Sequence, residues 1–498
     1  MLVAVPAGKP AVVANMTQCR LVVSQQPPDL TSGWRVQFRR GTGTAIGSRV
    51  NAPPYTRTSG LLATGDYEVW GEWTKSTGVP VISNKTVIAA RASVTVAETV
   101  ATVPIIFRNV LDPDAPTPPP PSTVARYVAT TGSNANDGSI GSPWLTISYA
   151  VAQLQPGYTL YIRAGTYTGA TDMIDSALYT VPSGTSWLDP VTISGYSGET
   201  VTIRPPDGTH AVRLTTGAPS YIILQDVTVD YVSHTSGSVE GIYLSTGAHH
   251  NRFLRVELKN ARRFGVVFSK NGGYADYNEV IDCNIHDIGN GDTDNTNGHG
   301  LYISTGHNLV EGCTIHDNDG YGCHFYDDAG PLNTSYNVVR NNAIYNNGLG
   351  HSTAFGIIFD YGYDNIAYNN LIYGNNGGVL VYANSFNSKI YNNTIYNNSL
   401  SEGVSLEFYA SAPIIRNNIV YNNIAGGIVD KGGTGTPTIS NNITANPSFV
   451  NAGAFNFHLQ SGSAARDTGA TLGDVATDYD GVARPQGAAY CVGAFEFI

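Results

Sequence analysis

The sequence predicts an all-β chain: a right-handed parallel β-helix (solenoid) preceded by a small antiparallel β-sandwich domain. Three observations predict it. A local frame repeats through the second half, the composition is rich in turn residues and poor in charge, and the chain changes character at a proline run.

The repeat reads "VIDCNI", "VEGCTI", "VRNNAI", "AYNNLI", "IYNNTI", "IRNNIV", "ISNNIT". Its rungs are Cys283, Cys313, Asn342, Asn370, Asn393, Asn418 and Asn442, at steps of 30, 29, 28, 23, 25 and 24 residues. Short β-rich runs at such a period form a solenoid in which each repeat stacks on its neighbours. Asparagine recurs because stacked amides, about 4.8 Å apart, hydrogen-bond along the stack and satisfy the backbone of a sharp turn. The frame extends weakly back to Val256 and Val227, which gives about nine coils.

Only 13% of residues are charged, while Gly (55) and Tyr (30) are abundant, which suits a turn-rich β protein. A net charge of −11 argues against nucleic acid or an anionic membrane as partner, since both need a basic stripe. No apolar run is long enough for a membrane span. The opening "MLVAVPAGKPAVV" lacks the pattern of a signal peptide, and the expected location is extracellular or surface-displayed, either secreted with its signal removed or carried as part of a virion. Cys283 and Cys313 occupy adjacent rungs whose side chains point the same way, so free thiols are expected there rather than a disulfide. Cys323 reads as core-facing, Cys19 and Cys491 lie far apart, and no zinc pattern appears.

Residues 1–112 contain short alternating runs ("CRLVVSQ", "WRVQFRR", "GDYEVWGEWT") separated by Gly, Pro and Ser turns, as in a sandwich serving attachment or carbohydrate binding. Residues 113–124 form a Pro-rich linker with Pro116 and Pro118 through Pro121. The solenoid takes residues 125–498. A short helix opening at Pro143, with Leu145, Ala150, Val151 and Leu154 on one face and Gly157 past its end, would cover the first coil. The last fifty residues break the repeat and read as a C-terminal cap.

The opening "YVATTGSNANDGS…SPWLTISYAVAQLQPG…LYIRAGTY", the "GHGLYIS" and "NNTIYNN" coils and the closing "DYDGVARPQGAAYCVGAFEF" resemble the pectate-lyase-like superfamily of right-handed β-helix proteins. The resemblance covers about residues 125–498. The opening is most similar to extracellular polysaccharide lyases that use calcium and a lysine base. The superfamily also includes hydrolases, epimerases, adhesins and phage tailspikes, so the resemblance specifies a fold more sharply than an activity.

A second ladder, Gly241, Gly265, Gly300, Gly322, Gly356, Gly378, Gly403 and Gly427, opens one strand per coil. Period-2 alternation sends the first and third residues after each glycine inward and the second and fourth outward. The outward stripe then includes Tyr302, His324, Tyr326, Asp360, Tyr382 and Glu407, while Asp430 in the final coil would face inward. Rings that stack pyranoses beside ionisable groups make a sugar groove, although any solenoid surface also needs polar residues.

Three uses are open. Asp360 and Glu407, two coils and roughly 9.5 Å apart, would suit hydrolysis with inversion. Alternatively a uronate polymer is cleaved by β-elimination, and here the resemblance implies that Asp327, Asp328 and Asp360 form a calcium cluster. The family's lysine is missing one coil onward, with Lys270 and Lys431 coils away, so His324 or Tyr326 would have to act as base. In the third case the groove only binds glycan.

The loop "GNGDTDNTNGHG" offers Asp292 and Asp294 as hard oxygen ligands for Ca²⁺, or uses them as turn residues. His299 beside it could approach His324 on the next coil. The column His286, His316, Tyr345, Tyr373, Tyr396, Tyr421 reads as an outward structural stack. The expected function is cleavage of an acidic or complex polysaccharide by a lyase or hydrolase. The alternative is a non-catalytic virion or cell-surface spike, decoration or adhesin protein, trimeric in the case of a spike.

Overall fold

The structure is a computed structural model. It describes residues 124–498 apart from 236–238, 290–297, 328–332, 349–353 and 433–434, together with the backbone of seven strands before residue 124. The chain divides into two compact units, Met1–Pro120 and Pro121–Ile498, and the division falls inside the proline run.

In the first unit the strands Leu2–Pro6, Ala101–Asn109 and Cys19–Val23 form one sheet. Four strands between Trp34 and Val96 form a second, antiparallel sheet. One pair departs from the antiparallel expectation, since Cys19–Val23 runs parallel to Ala101–Asn109.

The second unit is a solenoid with three long parallel sheets. The first has twelve strands, from Ala125–Val128 to Thr438–Ser440, and the second ten, from Gly165–Tyr167 to Ile419–Tyr421. The third also has ten, from Ile174–Asp175 to Ile428–Asp430. Ten coils therefore carry all three sheets, one more than the repeat reveals. The inward residues of the third sheet are fully buried, among them Val266, Phe268, Ile357 and Phe359, and they join one continuous apolar core. Asp430 pairs in register with inward Leu406 yet is exposed, because it lies on the last described strand of that sheet.

The asparagine ladder forms as expected at the corner between the first and second sheets. Asn342, Asn370, Asn393 and Asn418 each donate Nδ2–H to Oδ1 of the next rung at 2.9–3.0 Å. The same Oδ1 atoms also accept the preceding rung's backbone N–H at 2.9–3.1 Å. Cys313 joins through its backbone N–H to Asn342, and Cys283 and Cys313 are free and buried. Two further ladders turn the other corners. Asn318, Asn347, Asn375, Asn398 and Asn423 bond at 2.7–3.2 Å, and Asn251, Asn278, Asn308, Asn337 and Asn365 mark the third corner.

The residue before each rung sits at positive φ, for example Asn369 (53°), Asn392 (49°) and Asn417 (59°). Asparagine tolerates that region better than other non-glycine residues. Each "NN" pair thus divides the work: the first residue bends the chain and the second makes the ladder.

The glycine ladder has a steric cause. A Cβ on Gly265 would lie 2.4 Å from the carbonyl oxygen of Gly300, and one on Gly378 would lie 2.1 Å from that of Gly403. Adjacent coils approach too closely there for any side chain.

Two expectations about the ends need correction. The helix spans Ile147–Ala152, begins after Thr146 rather than at Pro143, and leaves Leu145 exposed, while Ile147, Ala150, Val151 and Leu154 are buried. The C-terminal segment runs along the side of the solenoid instead of capping its end. Phe449, Phe457 and Phe495 cluster with Leu371, Tyr373 and Tyr396 on the second sheet's outer face. Leu472, Val475 and Tyr490 cluster with Tyr368 and Tyr391 on the first. The bending asparagines receive it: Nδ2 of Asn369, Asn392, Asn417 and Asn441 donates to carbonyls of Thr477, Cys491, Ala470 and Thr468 at 2.7–3.1 Å. Arg484 and Glu496, both fully buried, pair at 2.6 Å inside this segment.

Candidate functional site

Strand register defines the outward face of the third sheet. Tyr243, Val267, Tyr302, His324, Ile358, Leu380 and Ser405 succeed one another coil by coil in one column. Tyr326, Asp360 and Tyr382 form a second, and Glu407 follows through its N–H to the Val381 carbonyl at 3.0 Å. A third column, just before the glycines, was not read from the sequence. Phe264 pairs with His299 and Phe355 with Gly377, and Tyr321 lies between them in the chain of coils. Its signal was available: these residues occupy the last position before each glycine.

These columns converge on a ring cluster. His299 and His324 lie 5.0 Å apart between centroids at 71°, confirming that the two histidines approach each other. Tyr302 meets His324 at 5.2 Å and 89°, and Tyr321 meets it at 4.9 Å and 47°. Tyr326 lies 5.5 Å from His324 and 5.8 Å from Tyr361, the latter at 80°. Phe355, Ile358 and Leu380 form a buried apolar floor, with Tyr321 and Tyr382 packed against it.

The angles matter. In the second-sheet column, His286, His316, Tyr345 and Tyr373 stack at 4.8–5.0 Å within 11° of parallel, so each ring covers its neighbour's face. Four members of the expected column stack in this way, whereas Tyr396 and Tyr421 are tilted at 6.0 Å and 32°, with Tyr396 packed edge-on against Phe449. Most pairs around His324 are tilted or edge-on, while Tyr302 has one face stacked on Phe264 at 4.8 Å and 15°.

The predicted carboxylates separate in role. Asp360 is 6% exposed at the edge of the apolar floor and registers directly beside Tyr326. Tyr382 sits between Asp360 and Glu407. Burial and these two carboxylates push its phenol up, so it remains a donor at neutral pH. Glu407 accepts from Ser405 Oγ at 2.7 Å and from Lys431 Nζ at 2.9 Å, and the same ammonium bonds Glu402 at 2.9 Å.

Asp327 does not join the outward face as expected. It is fully buried and takes bonds from Lys270 Nζ and Asn333 Nδ2. Lys270 thus reaches across an intervening coil, although sequence spacing set it apart from the acidic residues. Asp327 is committed to an ammonium and an amide, and Asp328, which completes the expected calcium set with Asp360, lies outside the described residues. His299 is 3% exposed and its Nδ1 accepts the Tyr321 N–H at 3.1 Å, so it buttresses the cluster from beneath. Asp292, Asp294 and Asp328 lie outside the described residues. Among the described residues, no group of three or more His, Cys, Asp or Glu side chains could hold a metal ion.

Toward the N-terminal coils, and also missed in the sequence, Glu240 binds His210 Nε2 at 3.1 Å and Arg263 at 3.2 Å. Burial opposes ionisation of Glu240, but His210 and Arg263 hold its carboxyl below the ordinary glutamate range. Arg263 also lies 4.9 Å over the Phe264 ring, which links this polar cluster to the aromatic one.

Residues 273–444 match the family described as "Right handed beta helix region". No curated protein matches the sequence. Among solved structures, pectate lyase Pel9A is similar at 18% identity and a TM-score of 0.56, covering 75% of this chain and 96% of that one. A rhamnogalacturonan lyase is similar at 15% identity and a TM-score of 0.50, covering 68% of this chain and 95% of that one. The chain is a right-handed parallel β-helix protein, and at these identities the likeness is one of fold. Among the described residues, no helix is long and apolar enough to cross a membrane.

Proposed function

We propose that the protein cleaves a polysaccharide laid along the outer face of the third sheet, in the manner of a glycoside hydrolase. The observation that carries this reading is the register of Tyr326 with Asp360. It runs an aromatic surface directly into a carboxylate column. The tilted rings at His324 and Tyr326, with Tyr302 backed by Phe264, would stack sugar units. Glu407, positioned by Lys431 and Ser405, would activate water, and Asp360 would protonate the leaving oxygen. Two strand spacings of about 4.8 Å separate their backbones, at the upper end of the range for inversion. Tyr382 between them would donate to the sugar.

Elimination is less well supported, because Lys270 is committed to Asp327 and cannot serve as the free base. The fold likeness to pectate and rhamnogalacturonan lyases supports a glycan substrate and is neutral on the bond chemistry. Calcium, in this reading, belongs to Asp292 and Asp294 in the 290–297 loop. The location is extracellular or surface-displayed, and the N-terminal unit serves attachment or carbohydrate binding.

The test incubates polygalacturonate, rhamnogalacturonan, alginate and xylan with wild type and Asp360→Ala, with and without Ca²⁺. Reducing ends and unsaturated uronate absorbance are both followed. New reducing ends without unsaturation, lost in Asp360→Ala, support the hydrolase. Calcium-dependent unsaturation would replace it with a lyase. No product from a folded protein would replace both with a spike or adhesin scaffold, for which a trimeric mass is expected.

A further inference from the structure

We infer that Phe408 and Tyr409 form a sugar-stacking platform at the end of the carboxylate column, binding the apolar face of a pyranose. The inference rests on the polysaccharide reading and deepens it. Both rings are among the most exposed large side chains described, at 58% and 59%. Phe408 meets Tyr382 edge-on at 5.1 Å and 62°, so the platform is continuous with the ring between Asp360 and Glu407.

The backbone supplies the independent argument. The Ala410 N–H donates to the Glu407 carbonyl at 3.2 Å, closing a four-residue turn whose central residues are Phe408 and Tyr409. Both have positive φ, 40° and 68°. A turn with two left-handed central residues favours Asn-Gly, and bulky aromatics are among the residues least suited to it. The fold does not demand aromatics there. Val381 and Leu406 pair in register, and three residues later the preceding coil uses Asn384 (φ 51°) where this coil uses Tyr409.

The pattern also occurs beside the other carboxylate. Asp360 is followed by Tyr361 at φ 66°, and Glu407 by Phe408. Each proposed catalytic carboxylate is therefore succeeded by an aromatic residue in a conformation it disfavours. Positive φ alone does not mark a ligand site, since Tyr221, Tyr277 and Tyr336 also adopt it (54°, 59° and 62°) while packing in a column with His250 and His307. Stacked ring columns elsewhere on the solenoid hide their faces, whereas these two rings leave theirs open.

The test compares the intact protein carrying Asp360→Ala, as a non-cleaving host, with the same protein carrying Phe408→Asn and Tyr409→Gly. Thermal unfolding and affinity electrophoresis in gels containing each of the four polysaccharides are measured. The expected result is a higher Tm together with binding weakened about tenfold, the equivalent of about 1.4 kcal/mol for two lost ring contacts. A lower Tm would make the rings structural and overturn the inference. Unchanged binding in a host that does bind glycan would overturn the platform while leaving the polysaccharide reading intact. If the host binds no polysaccharide, that reading fails and the platform falls with it.

Discussion

Asn393→Ala removes one rung from the middle of the first ladder, and its cost can be worked from the bonds it breaks. Asn393 Oδ1 accepts the Asn370 backbone N–H and Nδ2–H, both at 2.9 Å. Its Nδ2 donates to the Ala367 carbonyl at 2.9 Å and to Asn418 Oδ1 at 3.0 Å. Asn370, Asn393 and Asn418 are fully buried, so water does not replace what is lost. Alanine orphans two donors on Asn370 and takes one donor from the Ala367 carbonyl, an acceptor on a paired strand, while Asn418 Oδ1 keeps the Asn393 backbone N–H. At about 1–3 kcal/mol for each buried orphan, and with the acceptor the most forgiving, the expected loss is on the order of 3–5 kcal/mol. Asn442→Ala is the internal comparison. Asn442 is itself half-buried and ends the ladder, so its truncation opens Asn418 and the Ile415 carbonyl to solvent and about 1 kcal/mol is expected. Equilibrium urea unfolding followed by far-UV circular dichroism measures both, and hydrogen exchange at the Asn370 amide reports the local opening. A loss below 1 kcal/mol for Asn393→Ala, or equal losses for the two variants, would refute the claim that the ladder holds the coils together.

Arg484→Met should cost about 3–5 kcal/mol, because it leaves Glu496 buried without its cation. It should also free the C-terminal segment, read as new protease sensitivity after residue 445. Gly378→Ala should destabilise by about 1–3 kcal/mol or more through overlap with the Gly403 carbonyl, whereas Gly462→Ala, in open space, should be neutral by the same unfolding assay. Burial pushes the imidazoles of His249 and His307 below the usual histidine range. The unfolded chain therefore takes up protons first as pH falls below about 6.5, and stability should decline from there down to the folded-state values. Thermal unfolding between pH 7.5 and 5 checks this, and an unchanged or rising Tm on acidification would contradict it.

Much of the fold was legible because a solenoid writes tertiary contacts as local repeats. The rungs, the glycines and the in–out alternation each follow from one coil's own residues. The second and third asparagine ladders were present too, as "YNN" and as His-Asn or Tyr-Asn pairs. They are harder to see, because the corner residue before each rung varies while only the rung is fixed. Within the site, Tyr302, His324, Tyr326, Asp360, Tyr382 and Glu407 fell on the outward columns expected of them. Asp327 did not: it follows the last residue of its strand, where alternation stops, and it is buried against Lys270 and Asn333.

The sequence by itself determined the solenoid, its period and which side chains point out of the third sheet, because strand periodicity and stacked amides depend on near neighbours. Only the tertiary structure decided how those side chains meet. Lys270 finds Asp327 across 57 residues, and the C-terminal segment finds asparagines about 100 residues away. Ring angles around His324 depend on how three successive coils superpose. The inserts between coils differ in length, so no local pattern fixes that superposition. Packing of whole coils sets it, and with it which outer faces are covered by the chain's own tail.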